Sequence, residues 1–386
     1  MYFPARLSRA ALAIPLAALA CGGLAACGSS SDSSDTATGG AAAASATGAS
    51  TSAADSTKQV KLAMELTLTG VKFGQDMKAG IEAYAKADGH VDLTVSGPPS
   101  IDPVTAQKQA TDMLAQRPDG FGVSPFPPEL WQRTLKTIKS QVPNSLTFNI
   151  KPSGKVEDVA SSPMKTFVGV DDAQGAHDTL VKLIEMAKLP ASTTGEVLLG
   201  QCVAANTGVL YERIQGFKKA LAEKLPQATP IVFDSKVDPQ GNTATWTSEL
   251  QAHPKPVLAI GTCDQDGTSL YKVKRSQHLT FPVGALEAPP EVIAGIEDGT
   301  ILVSTAVNWY LQGYVAAKFL VDGARGTAFP EGFIDVGTVL ITKENVGEIK
   351  ERESSDAARV AWNAPKIKEF LADVQAHVHP MQDAWK

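Results

Sequence analysis

Residues 196–233 read EVLLGQCVAANTGVLYERIQGFKKALAEKLPQATPIVF. Glu196–Gly200 is a short apolar run of strand length. Val209–Leu225 carries Ile214, Phe217 and Leu221 at steps of three and four, which places them on one stripe of a helix. Ile231–Phe233 is a second apolar run. Strand, helix and strand in that order make a unit of a parallel sheet, because the helix carries the chain back across the sheet face.

The same alternation extends in both directions. Downstream, helix is predicted for Thr243–Ala252, strand for Pro256–Ile260, and a helix starting over Ser269–Lys274. Strand Phe281–Gly284, helix Pro290–Asp298, strand Ile301–Ser304 and helix Leu311–Val321 follow. Upstream, strand Thr166–Val170 and helix His177–Ala187 open this series. An earlier series begins with the run Val60–Met64. It continues with helix Phe73–Ala87, strand Val91–Val95, helix Pro103–Gln116, strand Gly120–Val123, helix Leu130–Ser140 and strand Ser145–Phe148. The fold class is therefore α/β, with two doubly wound parallel sheets. In such sheets ligands sit beyond the carboxyl ends of the strands, so facing ends would enclose one cleft.

The region before Lys58 has a different character. Arg6 and Arg9 precede an apolar, Ala-rich stretch, Ala10–Ala20, which is short for a membrane span and suits a secretory signal. Leu24-Ala25-Ala26-Cys27 looks like a bacterial lipobox, so residues 1–26 read as a signal peptide and Cys27 as the lipidated residue. Residues 27–57 contain no large apolar side chain beyond Cys27 and read as a tether. The expected location is the cell membrane, lipid-anchored and extracytoplasmic, either periplasmic or on the outer face. The net charge of −6 comes without a basic stripe, which argues against nucleic-acid binding. Of the four cysteines only Cys202 and Cys263 fall in the body, where an oxidising compartment permits a disulfide.

No nucleophile–base set, phosphate loop or metal-binding helix motif is present, so the chain does not read as an enzyme and no cofactor or metal is expected. His377-Val378-His379 reads as a solvated tail, and nothing at useful spacing completes Asp171-Asp172 as an acid–base or cation site. Recognition is the better reading. Arg213 offers a planar fork of donors, or is an exposed helix arginine. Asp264 follows a strand, as a hydroxyl acceptor or a helix cap. Asn149 ends another strand, as a contact or a turn residue. Phe73, Phe126, Trp131 and Trp309 lie near strand ends or helix starts, where an aromatic face stacks on a sugar ring or fills core.

Taken in order, these motifs resemble the type I periplasmic binding proteins of the ribose/galactose class, the substrate-capturing components of ABC importers. The resemblance spans residues 58–350 and rests on Phe73-x6-Gly80, Asp119–Pro125, Phe167–Asp172 with Gly175, Arg213-Ile-Gln-Gly-Phe217, Cys263–Gly267, Val283-Gly284, Gly295-Ile296-x-x-Gly299 and Val339–Val346. It implies ligand contacts at Phe73, Arg213 and Asp264, with Asn149 near a crossing and Val307 or Asn308 at the usual polar position. Two departures stand out. Phe126-Pro127-Pro128 replaces a segment that usually carries an Asp, and Ala285-Leu286-Glu287 stands where an Asp is usual. They predict a pocket with fewer carboxylates and more aromatic surface.

The resemblance also implies architecture and partners. One lobe is expected from 58–152 plus 308–338, the other from 153–307 plus 339–386, with crossings near 150–156, 305–309 and 335–342. Cys202 and Cys263 would follow neighbouring strands and form a disulfide. The chain is expected to be a monomer that closes on a small sugar or polyol and docks on a membrane permease. A nucleoside, aromatic or amino-acid-like ligand, and a role as a ligand-presenting sensor, stay open at this point.

Overall fold

The computed structural model describes residues 57–204 and 208–385. The expected signal peptide, the lipidation at Cys27 and all but the last residue of the expected tether lie outside them.

The first series forms β1 (Val60–Glu65), α1 (Lys72–Asp88), β2 (Val91–Ser96), α2 (Pro103–Leu114), β3 (Gly120–Val123), α3 (Pro128–Gln141), β4 (Ser145–Phe148) and β5 (Thr166–Gly169). The second forms α4 (Asp172–Met186), β6 (Gly195–Gln201), α5 (Val209–Lys224), β7 (Ala228–Asp234), α6 (Pro239–Ala252), β8 (Leu258–Gly261), α7 (Asp264–Ser276), β9 (Gly284–Leu286), α8 (Pro290–Asp298) and β10 (Val303–Val307). The chain then runs through α9 (Trp309–Ala324), β11 (Gly332–Asp335), β12 (Thr338–Ile341), α10 (Val346–Arg352), α11 (Asp356–Ala372) and β13 (Val378–His379).

The first sheet has seven strands in the order β13-β11-β5-β4-β3-β1-β2. The second consists of β7-β6-β8 and β9-β10-β12, joined by a parallel bridge between Ala259 and Val283. Both start on an inner strand, β1 or β6, and wind outward to either side, as a doubly wound fold requires. Their short apolar strands are buried on both faces, as parallel strands must be. On the first sheet, Met64, Ile81, Phe148, Val315 and Leu320 pack on one face, and Ala110, Phe121, Trp131 and Leu135 on the other. The second sheet is likewise covered by Leu180, Leu199 and Phe217, and by Trp246, Leu270 and Ile296.

The strand order corrects two expectations. Thr166–Val170 does not open the second lobe. Phe167 pairs with Thr147 of β4 on one side and Phe333 of β11 on the other, so β5 belongs to the first sheet. The first crossing thus lies at Val170–Asp171 rather than near 150–156. The segment 339–386 does not stay with the second lobe either. Val378 and His379 pair antiparallel with β11, so the chain returns to the first sheet a further time.

Candidate functional site

The cleft is built where the strands of both sheets end. Trp309 opens α9 directly after β10, and Asn308 caps that helix by accepting from the Leu311 N–H at 3.1 Å. Phe73 lies in the first turn of α1, and its ring centroid stands 5.4 Å from that of Trp309 at a 44° tilt. Gly80 fixes this pairing of helices: a Cβ there would sit 2.0 Å from the Tyr310 carbonyl oxygen, so α1 approaches α9 only through glycine.

From the second sheet comes Arg213 on α5, only 7 % exposed. The alternative of an exposed helix arginine is therefore wrong. Nε donates to Asp172 Oδ1 at 2.9 Å, Nη1 to the Thr262 carbonyl at 2.8 Å and Nη2 to Glu287 Oε1 at 3.1 Å. Three of its five N–H groups are thus committed, and the fork is held rigidly. Glu287 Oε2 accepts from Trp309 Nε1 at 2.8 Å, which links the second sheet to α9. Burial pushes the Glu287 carboxyl above its ordinary range, and Arg213 and Trp309 pull it back only in part. Burial likewise raises Asp264, against the Gln265 backbone N–H and the charge of Arg213.

Phe73, Asp264, Glu287, Asn308 and Trp309 line one cavity, together with Lys72, Asp76 and residues of α10 and α11. Arg213, Asp171, Asp172, Thr305 and Thr338 line an adjoining one, and Glu287 faces both. The structure thus brings together five of the seven expected ligand residues. Phe126 and Asn149 line neither cavity. The Phe126 carbonyl accepts from Trp131 Nε1 at 3.1 Å, and Trp131 itself is buried core. Asn149 sits at φ 62°, a turn conformation that asparagine tolerates, and its Nδ2 donates to Ser124 Oγ at 3.0 Å.

Asp264 is not the helix cap. Cys263 holds that position, and the buried Asp266 completes the capping box by accepting from the Cys263 N–H at 3.2 Å. Nor is the cleft poor in carboxylates. Glu287 was read only as a departure from the Asp pattern, yet its longer side chain places a carboxylate on Arg213. Asp172 was missed for a different reason: its partner lies forty-one positions away, which no local spacing reveals.

Cys202 and Cys263 are joined by a disulfide with Cα atoms 6.3 Å apart. It ties the ends of β6 and β8 beside Thr262, the carbonyl that anchors Arg213. Among the described residues these cysteines and Asp266 are the one group of His, Cys, Asp and Glu placed to share a metal ion. Their sulfurs are bonded to each other, so neither is free as a thiolate ligand. His377 stacks on Phe370 at 4.3 Å, and His379 lies in β13 against Phe333, so neither is a solvated tail residue.

A sequence profile described as periplasmic binding protein domain matches residues 62–328. The chain belongs to this family. Several solved structures share the fold of this periplasmic binding protein. An ABC transporter solute-binding protein from Burkholderia graminis, in complex with D-arabinose, is 20 % identical with a TM-score of 0.65, covering 75 % of this chain and 97 % of its own. GanP, a glucose-galactose binding protein from Geobacillus stearothermophilus, is 19 % identical with a TM-score of 0.64, covering 75 % and 99 %. A solute-binding protein from Mycobacterium smegmatis with bound glycerol is 19 % identical with a TM-score of 0.64, covering 75 % and 96 %. Among curated proteins no sequence matches the chain. No helix among the described residues is long and apolar enough to cross a membrane.

Proposed function

We propose that this periplasmic binding protein captures a small polyhydroxylated solute, a monosaccharide or polyol, by closing its two lobes, and delivers it to the permease of an ABC importer. One observation carries the reading. A buried guanidinium with two N–H groups outside its three bonds and a paired aromatic wall, Phe73 and Trp309, line adjoining cavities, and Glu287 joins them by bonding to both Arg213 and Trp309. A sugar meets both demands at once, with hydroxyls toward the fork and a C–H face toward the rings. Asp264 and Glu287 add hydroxyl acceptors. Structures of similar fold bind D-arabinose, D-allose and glycerol, which supports the same ligand class here. Phe126 lines neither cavity, so the Phe126-Pro127-Pro128 segment lends no support to a nucleoside or aromatic ligand.

Within this reading Phe73, Arg213, Asp264, Asn308 and Trp309 contact the ligand, and the protein works as a monomer. The lipobox-like Leu24-Ala25-Ala26-Cys27 supports anchoring through Cys27 on the outer face of the membrane. The test is a thermal-shift screen of the full chain against pentoses, hexoses, polyols, nucleosides and amino acids. A bound ligand stabilises the native state once its concentration exceeds Kd. The melting temperature is expected to rise with a sugar or polyol and not with nucleosides; the reverse pattern overturns the ligand class. Arg213→Ala is expected to abolish the shift, and an unchanged affinity would remove Arg213 from the site.

A further inference from the structure

The family match ends at residue 328, so α10 and α11 lie beyond it. These helices nevertheless reach the cleft. Arg352, Glu353, Arg359 and Asn363 line the same cavity as Phe73 and Trp309. The charged members are engaged with one another and with α1. Glu353 pairs with Lys72 at 2.5 Å and with Arg352 at 2.6 Å. Arg359 lies 3.4 Å from Asp76.

Glu353 Oε2 and Arg359 Nε make no hydrogen bond, though each faces an opposite charge. Asn363 has no ion pair either. It is 0 % exposed, its Nδ2 donates to the Arg359 carbonyl at 2.9 Å, and its Oδ1 has no hydrogen-bond partner. The Nδ2 bond fixes the amide orientation, because the flipped amide would set oxygen against carbonyl oxygen. A buried acceptor on the cavity wall therefore lacks a donor, and buried polar groups are rarely left so.

We propose that α11 forms a third wall of the ligand site, in which Asn363 Oδ1 accepts a hydrogen bond from a hydroxyl of the bound monosaccharide or polyol. The proposal rests on the sugar-capture reading above. A neutral hydroxyl suits this wall because Lys72, Arg352 and Arg359 each already face a carboxylate of Asp76 or Glu353. A ligand carboxylate there would face the Asn363 oxygen directly. The specificity of this protein is thus set partly by a segment outside the matched domain.

The experiment is isothermal titration of the full chain with D-arabinose, D-tagatose, D-fucose, D-allose and glycerol as probes. It compares the wild type with Asn363→Leu, which keeps the branching of the side chain and removes the acceptor. Asn363→Leu is expected to weaken the best probe by about tenfold, one hydrogen bond's worth. Asn363→Ala supplies the same reading should the Leu variant not fold, and melting of each variant without probe establishes folding. Wild-type binding left unchanged by the Leu or Ala variant overturns the third wall and leaves the sugar reading standing. Absence of binding by the wild type to every probe overturns both.

Discussion

Glu65 ends β1 with its side chain 0 % exposed. Its Oε2 accepts from the Ser124 N–H at 3.3 Å, and its Oε1 has no partner. Burial raises the carboxyl pKa well above the ordinary range, and the Ser124 bond offsets only part of this. The sign follows from linkage. A group with a raised folded pKa contributes stability that is full below the unfolded value and is lost as pH rises through the folded value. Glu65→Gln keeps the shape and removes the titration. The urea midpoint of the wild type is expected to fall more between pH 5 and pH 8 than that of the variant. Equal falls would mean that Glu65 does not titrate there. The sequence hid this residue because an acidic side chain after the run Val60–Met64 reads as the start of a loop. In the sequence Glu287 marks only a departure from an Asp, since only the fold shows that it reaches Arg213. Arg213 and Trp309 stood among the candidates because a planar donor fork and a large ring near strand ends suit a ligand, and the fold places both on Glu287.

At the scale of elements, α4 and α5 touch through Gly216. A Cβ there would lie 2.0 Å from the Ala173 carbonyl oxygen, which is backbone and has little freedom to yield. Gly216→Ala forces the helices apart, and overpacking of this kind costs about 1–3 kcal/mol. Arg213 stands one turn earlier on the same helix, so the displacement carries the guanidinium away from Asp172 and Thr262. The variant is expected to show a lower urea midpoint and weaker ligand binding together; lost stability with full affinity would uncouple the packing from the site. The motif Arg213-Ile-Gln-Gly-Phe217 was visible in the sequence, but the need for glycine was not. It depends on the first turn of α4, whereas helical spacing in the sequence starts only at His177. That turn is Asp172, Ala173 and Gln174, with too little apolar periodicity to announce a helix. Its signal is the cap, Asp171 accepting from the Gln174 N–H at 2.8 Å.

For the molecule as a whole, both sheets were legible because nearly every unit supplies an apolar run followed by a stripe of helical spacing. The places where the chain changes sheets were less so. β5 reads Thr-Phe-Val-Gly, and nothing in four buried residues says which sheet buries them. The stretch after β12 carries little periodic signal. α11 carries Pro365 in its interior, and β13 has two residues, below the length at which alternation shows. That strand nonetheless occupies an outer edge of the seven-stranded sheet. Met381 and Ala384, just beyond it, pack on Val159, Phe167 and Phe333. Removing residues 373–386 would bare the backbone of β11 together with the ring of Phe333. Open edges of this kind invite pairing with another chain, and a very short border strand is one way proteins avoid it. The truncated protein is expected to self-associate as its concentration rises in size-exclusion chromatography with light scattering, while the full chain stays monodisperse. A truncated form that remains single would show β11 to be harmless when exposed. On this expectation β13 serves as a selvedge, keeping each copy from being woven into its neighbour.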